Sequence, residues 1–158
     1  MKKIDLGRGL FALVDECDYM ELSKYKCGAL KHRTGRFYSY AKINGKVVMM
    51  HRLIMGAKSF EEKVDHIDGN SLNNQRCNLR ISTNSENMMN RGLASHNKTG
   101  FKGVLKRTNA VARPYKAQIG VNGKTIYIGF FGTAKDAAIA YNEKAMELHG
   151  KFARLNQV

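Results

Sequence analysis

Val64-Asp65-His66-Ile67-Asp68-Gly69-Asn70, then Asn78-Leu79-Arg80-Ile81-Ser82-Thr83, then Asn84-Ser85-Glu86-Asn87 carry the densest chemistry in the chain. Val64 to His66 is a short β run that enters a loop built by Asp68-Gly69-Asn70. Leu79 and Ile81 alternate as a second strand, and Thr83 with Glu86 makes a capping box that starts a helix, with Asn87 in or just after its first turn. Neighbouring residues at a strand end point to opposite sides, so Asp65 and His66 can flank one reacting phosphate. Histidine, with an ordinary pKa of roughly 6.5, is the natural base for water near neutral pH. Carboxylate and amide oxygens suit a hard divalent cation that keeps waters and substrate oxygens as its other ligands. Strand, loop, strand, helix with polar junctions thus fits a one-metal site for phosphodiester hydrolysis.

Upstream of this unit, Leu10 to Val14 reads as a short buried strand and Asp15 to Tyr25 as an acidic, weakly helical stretch. Phe37 to Ile43 and Lys46 to His51 flank Asn44-Gly45, a strong hairpin signal because both turn residues tolerate positive φ. A short helix over His51 to Ala57 follows, ending near Gly56. Downstream, Arg91 to Thr99 has no periodicity and reads as a connector. Phe101 to Leu105, Tyr115 to Val121 and Lys124 to Phe130 read as three strands, the last two joined by Asn122-Gly123. Thr133 then caps a helix with Asp136 at the capping-box position, and Ala134, Ala138, Tyr141, Ala145 and Leu148 share its apolar face.

Charge points to the partner. The net charge is +14, and residues 22–60 and 87–135 each hold nine Lys or Arg and no acid. Two such tracts imply surfaces that face a polyanion. The apolar fraction of 43% fits a folded protein. No apolar run approaches the roughly 18 residues that cross a bilayer, and the N-terminus shows no export signal. Cys17, Cys27 and Cys77 lack metal spacing and read as reduced thiols in or near the core. His32, His96 and His149 read as surface residues, and His51 as a core histidine.

His51-Arg52-Leu53-Ile54, Asp65-His66-Ile67-Asp68-Gly69-Asn70, Asn78-Leu79-Arg80 and Glu86-Asn87 together resemble the HNH family with its ββα-metal fold, and look most like phage and intron-encoded homing endonucleases. The resemblance implies His66 as general base, Asp65 and Asn87 as metal ligands, and Asn78 as the residue that steadies His66 or its loop. Where the family usually has histidine this chain has Asn87, with Asn84 and Asn90 as alternatives three positions to either side. An amide oxygen shifts the expected ion towards Mg²⁺, with Mn²⁺ second. Arg52 is expected as a phosphate clamp, and Arg80 among the DNA-binding residues.

Phe101-Lys102-Gly103-Val104, Tyr115 to Ile119, Ile126 to Ala134, Ala137 to Asn142 and Leu155-Asn156 resemble the plant Apetala-two/ethylene-response-factor DNA-binding domain. In that family the sheet lies in the major groove and the helix backs it. Lys102 and Arg107 fall where the family has Arg, Gln118 where it has Glu, and Tyr127 where it has Trp; three further Arg positions hold Leu105, Gly120 and Thr125. Losing them removes the bidentate contacts to guanine that a GC-rich preference needs. Lys102, Lys106, Arg107, Lys116 and Lys124 are expected to position the module on phosphates. Tyr127 stacks on a sugar or base or is a core-edge aromatic.

The expected architecture is α+β: a ββα-metal nuclease domain with the N-terminal hairpin region over 1–95, then a three-stranded antiparallel sheet backed by one helix over 96–158. The expected function is metal-dependent hydrolysis of duplex DNA, as a homing-type nickase leaving 5′-phosphate and 3′-hydroxyl ends. The rival is a non-catalytic, sequence-specific DNA-binding regulator. A monomer in the cytoplasm of a bacterial host, with one divalent ion and no protein partner, completes the expectation.

Overall fold

A computed structural model describes residues 1–59, 61–94, 96–109 and 112–158. The chain divides into two compact units, Met1–Asn84 and Ser85–Val158. Among the described residues its sheets are small and antiparallel, and four α-helices accompany them.

In the first unit, β1 (Lys2–Asp5) and β2 (Phe11–Val14) form a hairpin, followed by α1 (Glu16–Leu22). A three-stranded sheet has the order β3 (Lys26–Lys31), β4 (Phe37–Ile43), β5 (Lys46–Met49). Asn44 and Gly45, at φ 47° and 77°, make the tight turn between the last two strands, as the Asn-Gly pair predicts. α2 (Met50–Met55) ends at Gly56 in the left-handed conformation, which glycine adopts without a Cβ clash. β6 (Lys63–His66) pairs with β7 (Leu79–Ser82). Ala12, Val14, Leu22, Ala41, Met50 and Leu79 lie in one core drawn from all these layers. Strands β1 and β3 were not anticipated: Lys2 to Asp5 and Lys26 to Lys31 lack a clean apolar alternation, and tertiary pairing supplies what local pattern does not.

α3 (Asn84–Met89) begins where the units divide. The division thus falls ahead of the 91–99 connector; that stretch carries no helix or strand among its described residues, and its residue 95 lies outside them. The second unit contains a sheet of order β10 (Lys124–Phe131), β9 (Tyr115–Val121), β8 (Val104–Lys106), against which α4 (Ala134–His149) packs. The expected first strand is shortened because Phe101 to Gly103 forms a turn. Gly103 has φ 74°, and a Cβ there would lie 2.1 Å from the Tyr141 ring, so any larger residue collides with the helix.

Thr133 Oγ1 accepts the Asp136 N–H at 3.1 Å, the expected N-cap of α4. The buried face of α4 is Ala137, Ala138, Tyr141, Ala145 and His149. Ala138, Tyr141 and Ala145 are thus buried as expected and Leu148 packs at the edge of this face, while Ala134 is half-buried and Ala137 and His149 join it. His149, expected at the surface, is buried, and its Nε2 lies 2.9 Å from the Gly120 carbonyl. Cys17 and Cys77, expected in or near the core, are exposed, while Cys27 is half-buried. Small alanines in α4 let the helix approach the sheet closely, which is why a mildly apolar face suffices.

Candidate active site

The strand register of β6 and β7 sets the chemistry. Asp65 stands opposite Arg80, and His66 opposite Leu79. Arg80 donates from Nε at 3.0 Å and from Nη2 at 2.7 Å to Asp65 Oδ2. Both side chains of this pair are nearly buried, so each neutralises a charge that burial alone makes costly. His66 is likewise buried. Its Nε2 lies 3.4 Å from Asn74 Oδ1. Asn74 uses its amide nitrogen to donate to Ser39 Oγ at 2.9 Å and to the Leu72 carbonyl at 3.1 Å, so the oxygen faces His66. An acceptor there selects the tautomer with the proton on Nε2 and leaves the basic lone pair on Nδ1. Burial pushes the His66 pKa below its ordinary value, and the Asn74 contact and the Asp68 and Asp65 charges only partly offset it. The imidazole is therefore neutral at pH 7.

Around His66 the rings of His51 and Tyr38 lie at centroid distances of 5.2 and 6.4 Å, both edge-on. His51, from the first turn of α2, is buried, and burial lowers its pKa to about 3. Its Nδ1 has no hydrogen-bond partner among the described residues.

The loop between β6 and β7 is held from several sides. Asn78 Nδ2 donates to Asp68 Oδ1 at 3.0 Å and to the Asn73 carbonyl at 2.8 Å, while its Oδ1 accepts the Asp68 N–H at 3.0 Å. Of the two targets that the sequence left open for Asn78, these bonds go to the loop, and Asn74 is an amide at His66. Asp68 also accepts from Asn73 Nδ2 at 2.8 Å and the Asn70 N–H at 2.7 Å. Burial works to raise the Asp68 pKa, but these bonds outweigh it and hold the carboxyl below its usual value.

Outside anchors complete the frame. Leu13 N–H donates to the Leu72 carbonyl at 2.9 Å and Asn74 N–H to the Leu13 carbonyl at 2.7 Å, so β2 borders the loop. Ser71 Oγ donates to the Phe37 carbonyl at 2.6 Å. The acidic stretch finds its use here: Asp15 accepts the Arg76 N–H at 2.8 Å, and Asp18 takes the Arg76 guanidinium through two bonds at 2.9 and 2.7 Å.

Asn74 and Asp18 escaped the sequence reading. Asn73 and Asn74 read alike as loop residues, and only the fold, which leaves Asn74 fully buried, separates them. Arg52 donates to the carbonyls of Glu62, Ser59 and Ala57 at 2.7, 2.7 and 3.3 Å, and so ties the end of α2 to the chain that follows. Asn87 and Asn84 are exposed on or at the start of α3, while Asn90 is buried.

In the second unit, alternation and register sort the expected contact residues. Val104, Ala117 and Ile119 face α4. Leu105, Lys116 and Phe130 lie side by side across the three strands on the other face, and Gln118 pairs with Tyr127 there. Arg107 Cζ lies 4.4 Å from the Phe130 ring centroid. Lys106 pairs with Tyr115 and points to the helix side, as does Lys124 by its alternation with Ile126. Lys102 is half-buried, donates to the Met89 carbonyl, and has its pKa lowered to about 8 by burial and the nearby Arg154. Asn156 accepts the Lys102 N–H at 2.6 Å and donates to its carbonyl at 3.1 Å, which fastens the C-terminal segment to this turn.

Comparison with known proteins bears on this geometry. Residues 48–89, a span from β5 to α3 that contains His51, Asp65, His66, Asn74, Asn78 and Arg80, match the family described as HNH endonuclease. The chain is 34% identical over 152 residues to an uncharacterized HNH endonuclease of Acanthamoeba polyphaga mimivirus, covering 96% of this chain and 78% of that one. It is also 32% identical over 91 residues to Protein 3.8 of Escherichia phage T7, covering 58% of this chain and 73% of that protein.

Proposed function

This chain belongs to the HNH endonuclease family and is a DNA nuclease; from that premise we infer that it hydrolyses one strand of duplex DNA at the end of β6, with His66 as the base. The observation that carries this reading is a buried, neutral imidazole next in sequence to a buried carboxylate, with Nε2 committed to Asn74. His66 Nδ1 takes the proton from the attacking water. The loop amides Asn74 and Asn78 keep the ring and its loop from drifting, which matters because a misplaced base loses much of its effect. Inversion at phosphorus then releases a 3′ oxygen and leaves the phosphate on the 5′ end.

The donor set fits a hard cation. Among the described residues no three His, Cys, Asp or Glu side chains cluster as a closed metal cage, whereas Mg²⁺ needs only one or two protein oxygens beside water and phosphate. Asp65 would supply one such oxygen, and the resemblance to the HNH family implies Asn87 for another. Once bound, the ion supplies positive charge to the phosphate as negative charge builds. Arg80, already bonded to Asp65, keeps that carboxylate oriented.

The second unit is the duplex-holding module. Its resemblance to the Apetala-two domain, with a helix on one sheet face and cations with aromatics on the other, supports the open face as the DNA side. One site per chain makes nicking the default outcome. The viral sources of both relatives support a host cell as the setting. The direct test incubates supercoiled plasmid with the full chain and Mg²⁺ or Mn²⁺, with and without chelator. Nicked circles with ligatable ends are expected; no product with any divalent ion overturns the reading.

A further inference from the structure

The open face of the β10-β9-β8 sheet has an irregularity that decides what it presents. The register shifts between Tyr127 and Gly129, so Ile128 is an extra residue in β10. Strict alternation would put residues three apart on opposite faces. The bulge instead lets Tyr127 and Phe130 stand on the same side, opposite Gln118 and Lys116, with ring centroids 5.1 Å apart. Lys116 Nζ sits 5.3 Å from the Tyr127 ring and Arg107 4.4 Å from Phe130. These cations are held at the margin of an apolar ledge of Leu105, Tyr127 and Phe130, which are 44%, 47% and 39% exposed.

In the middle stands Gln118, half-exposed, whose side-chain amide makes no hydrogen bond to the described residues. Gly120, two positions on and therefore on the same face, adds no side chain, and a Cβ there would meet the Lys124 carbonyl oxygen at 3.9 Å. A groove of about 780 Å³ runs from this edge of the sheet past Arg91, Lys98, Lys102, Lys106 and Arg107, with no Asp or Glu among its lining residues. Charge of one sign around an uncharged donor–acceptor pair and apolar side chains suits a polyanion whose interior offers polar edges and methyl groups. Duplex DNA has that chemistry.

We propose that this face reads adenine–thymine pairs: Gln118 is the specificity-determining residue, pairing through its amide with the N6 and N7 edge of adenine, while Leu105 and the Tyr127–Phe130 ledge meet thymine methyl groups. The inference rests on the reading of this sheet as the DNA side. Glutamine matches adenine because one donor and one acceptor face one acceptor and one donor. An apolar side chain gains from a methyl group and gains nothing from the exposed amine of cytosine. Arg107 and Lys116 set the register on phosphates, and the basic groove carries the backbone onward.

The test selects binding sites from a random duplex library with the full-length His66→Ala chain, which separates recognition from cutting. A site containing at least one A·T pair whose adenine is preferred about 5- to 150-fold is expected. In Gln118→Ala that position alone becomes degenerate, and in Gln118→Arg it turns to guanine. A G·C-rich site, or any site that Gln118→Ala leaves unchanged, overturns the inference. Binding without sequence preference that weakens in Arg107→Ala and Lys116→Ala also overturns it, but keeps the sheet as the DNA side. Binding insensitive to both of those variants removes the DNA-facing sheet itself, and the inference with it.

Discussion

The two polar regions of this protein are built on opposite terms. At the end of β6, Asp65, His66, Asn74 and Asn78 are buried, and each is held by named partners. On the open face of β9 and β10, Gln118 and Lys116 are partly exposed and Tyr127 is exposed, with Lys116 lying over the Tyr127 ring. The first arrangement fixes geometry, because moving any member strands a buried polar group. On the proposed reading the second gathers affinity, because exposed cations act on a distant polyanion additively and weakly. Catalysis and holding would then follow different rules within one chain of 158 residues.

The sharpest way to break this comparison is His66→Ala. Losing a general base lowers cleavage by about 10²–10⁴-fold, while filter-binding affinity for duplex DNA stays within a factor of about two. Equal loss of both makes His66 structural and erases the contrast. Asn78→Ala comes next. It strands the Asp68 N–H and the Asn73 carbonyl, and destabilises the first unit by about 2–3 kcal/mol in urea unfolding. A change below about 0.5 kcal/mol puts Asn78 with the tolerant surface.

A smaller effect concerns pH. His51 has a folded pKa of about 3 against an ordinary 6.5, so the unfolded chain takes up the proton first. Stability is therefore fully present above about pH 6.5 and is lost as pH falls from there towards 3. Between pH 7 and 5 the loss is about 2 kcal/mol from this group, read as a lower urea midpoint, and His66 adds to it in the same direction. His51→Leu removes the His51 share; an unchanged acid slope in that variant assigns it elsewhere.

The smallest effect belongs to the sheet. Arg107→Ala or Lys116→Ala weakens binding several-fold and reduces the slope of log affinity against log salt by about one each. Plasmid nicking at saturating enzyme stays unchanged. A large drop at saturation instead places these cations in the chemistry.

Much of the fold was legible because local signals were strong. Asn44-Gly45 and Asn122-Gly123 need positive φ, and both turns formed where expected. Thr133 and Asp136 capped α4 as the box predicts. Illegible were features whose cause lies elsewhere in the chain. β1 is a strand because β2 borders it, and His149 is buried because a sheet carbonyl lies within its reach.

By itself, the sequence determined the chemistry on offer: an Asp-His pair at a strand end, amides at set spacings, two acid-free basic tracts, and turns that no β-branched residue would tolerate. Residue type and short-range backbone preference are written position by position, so they can be read without a fold. Only tertiary structure decided which groups meet. It set Arg80 against Asp65 and Asn74 against His66, gave Arg76 to the acids of α1, and turned Tyr127 and Phe130 to one side through a bulge. Those outcomes depend on strand register and burial, where a shift of one residue reverses a face, and no local pattern encodes that.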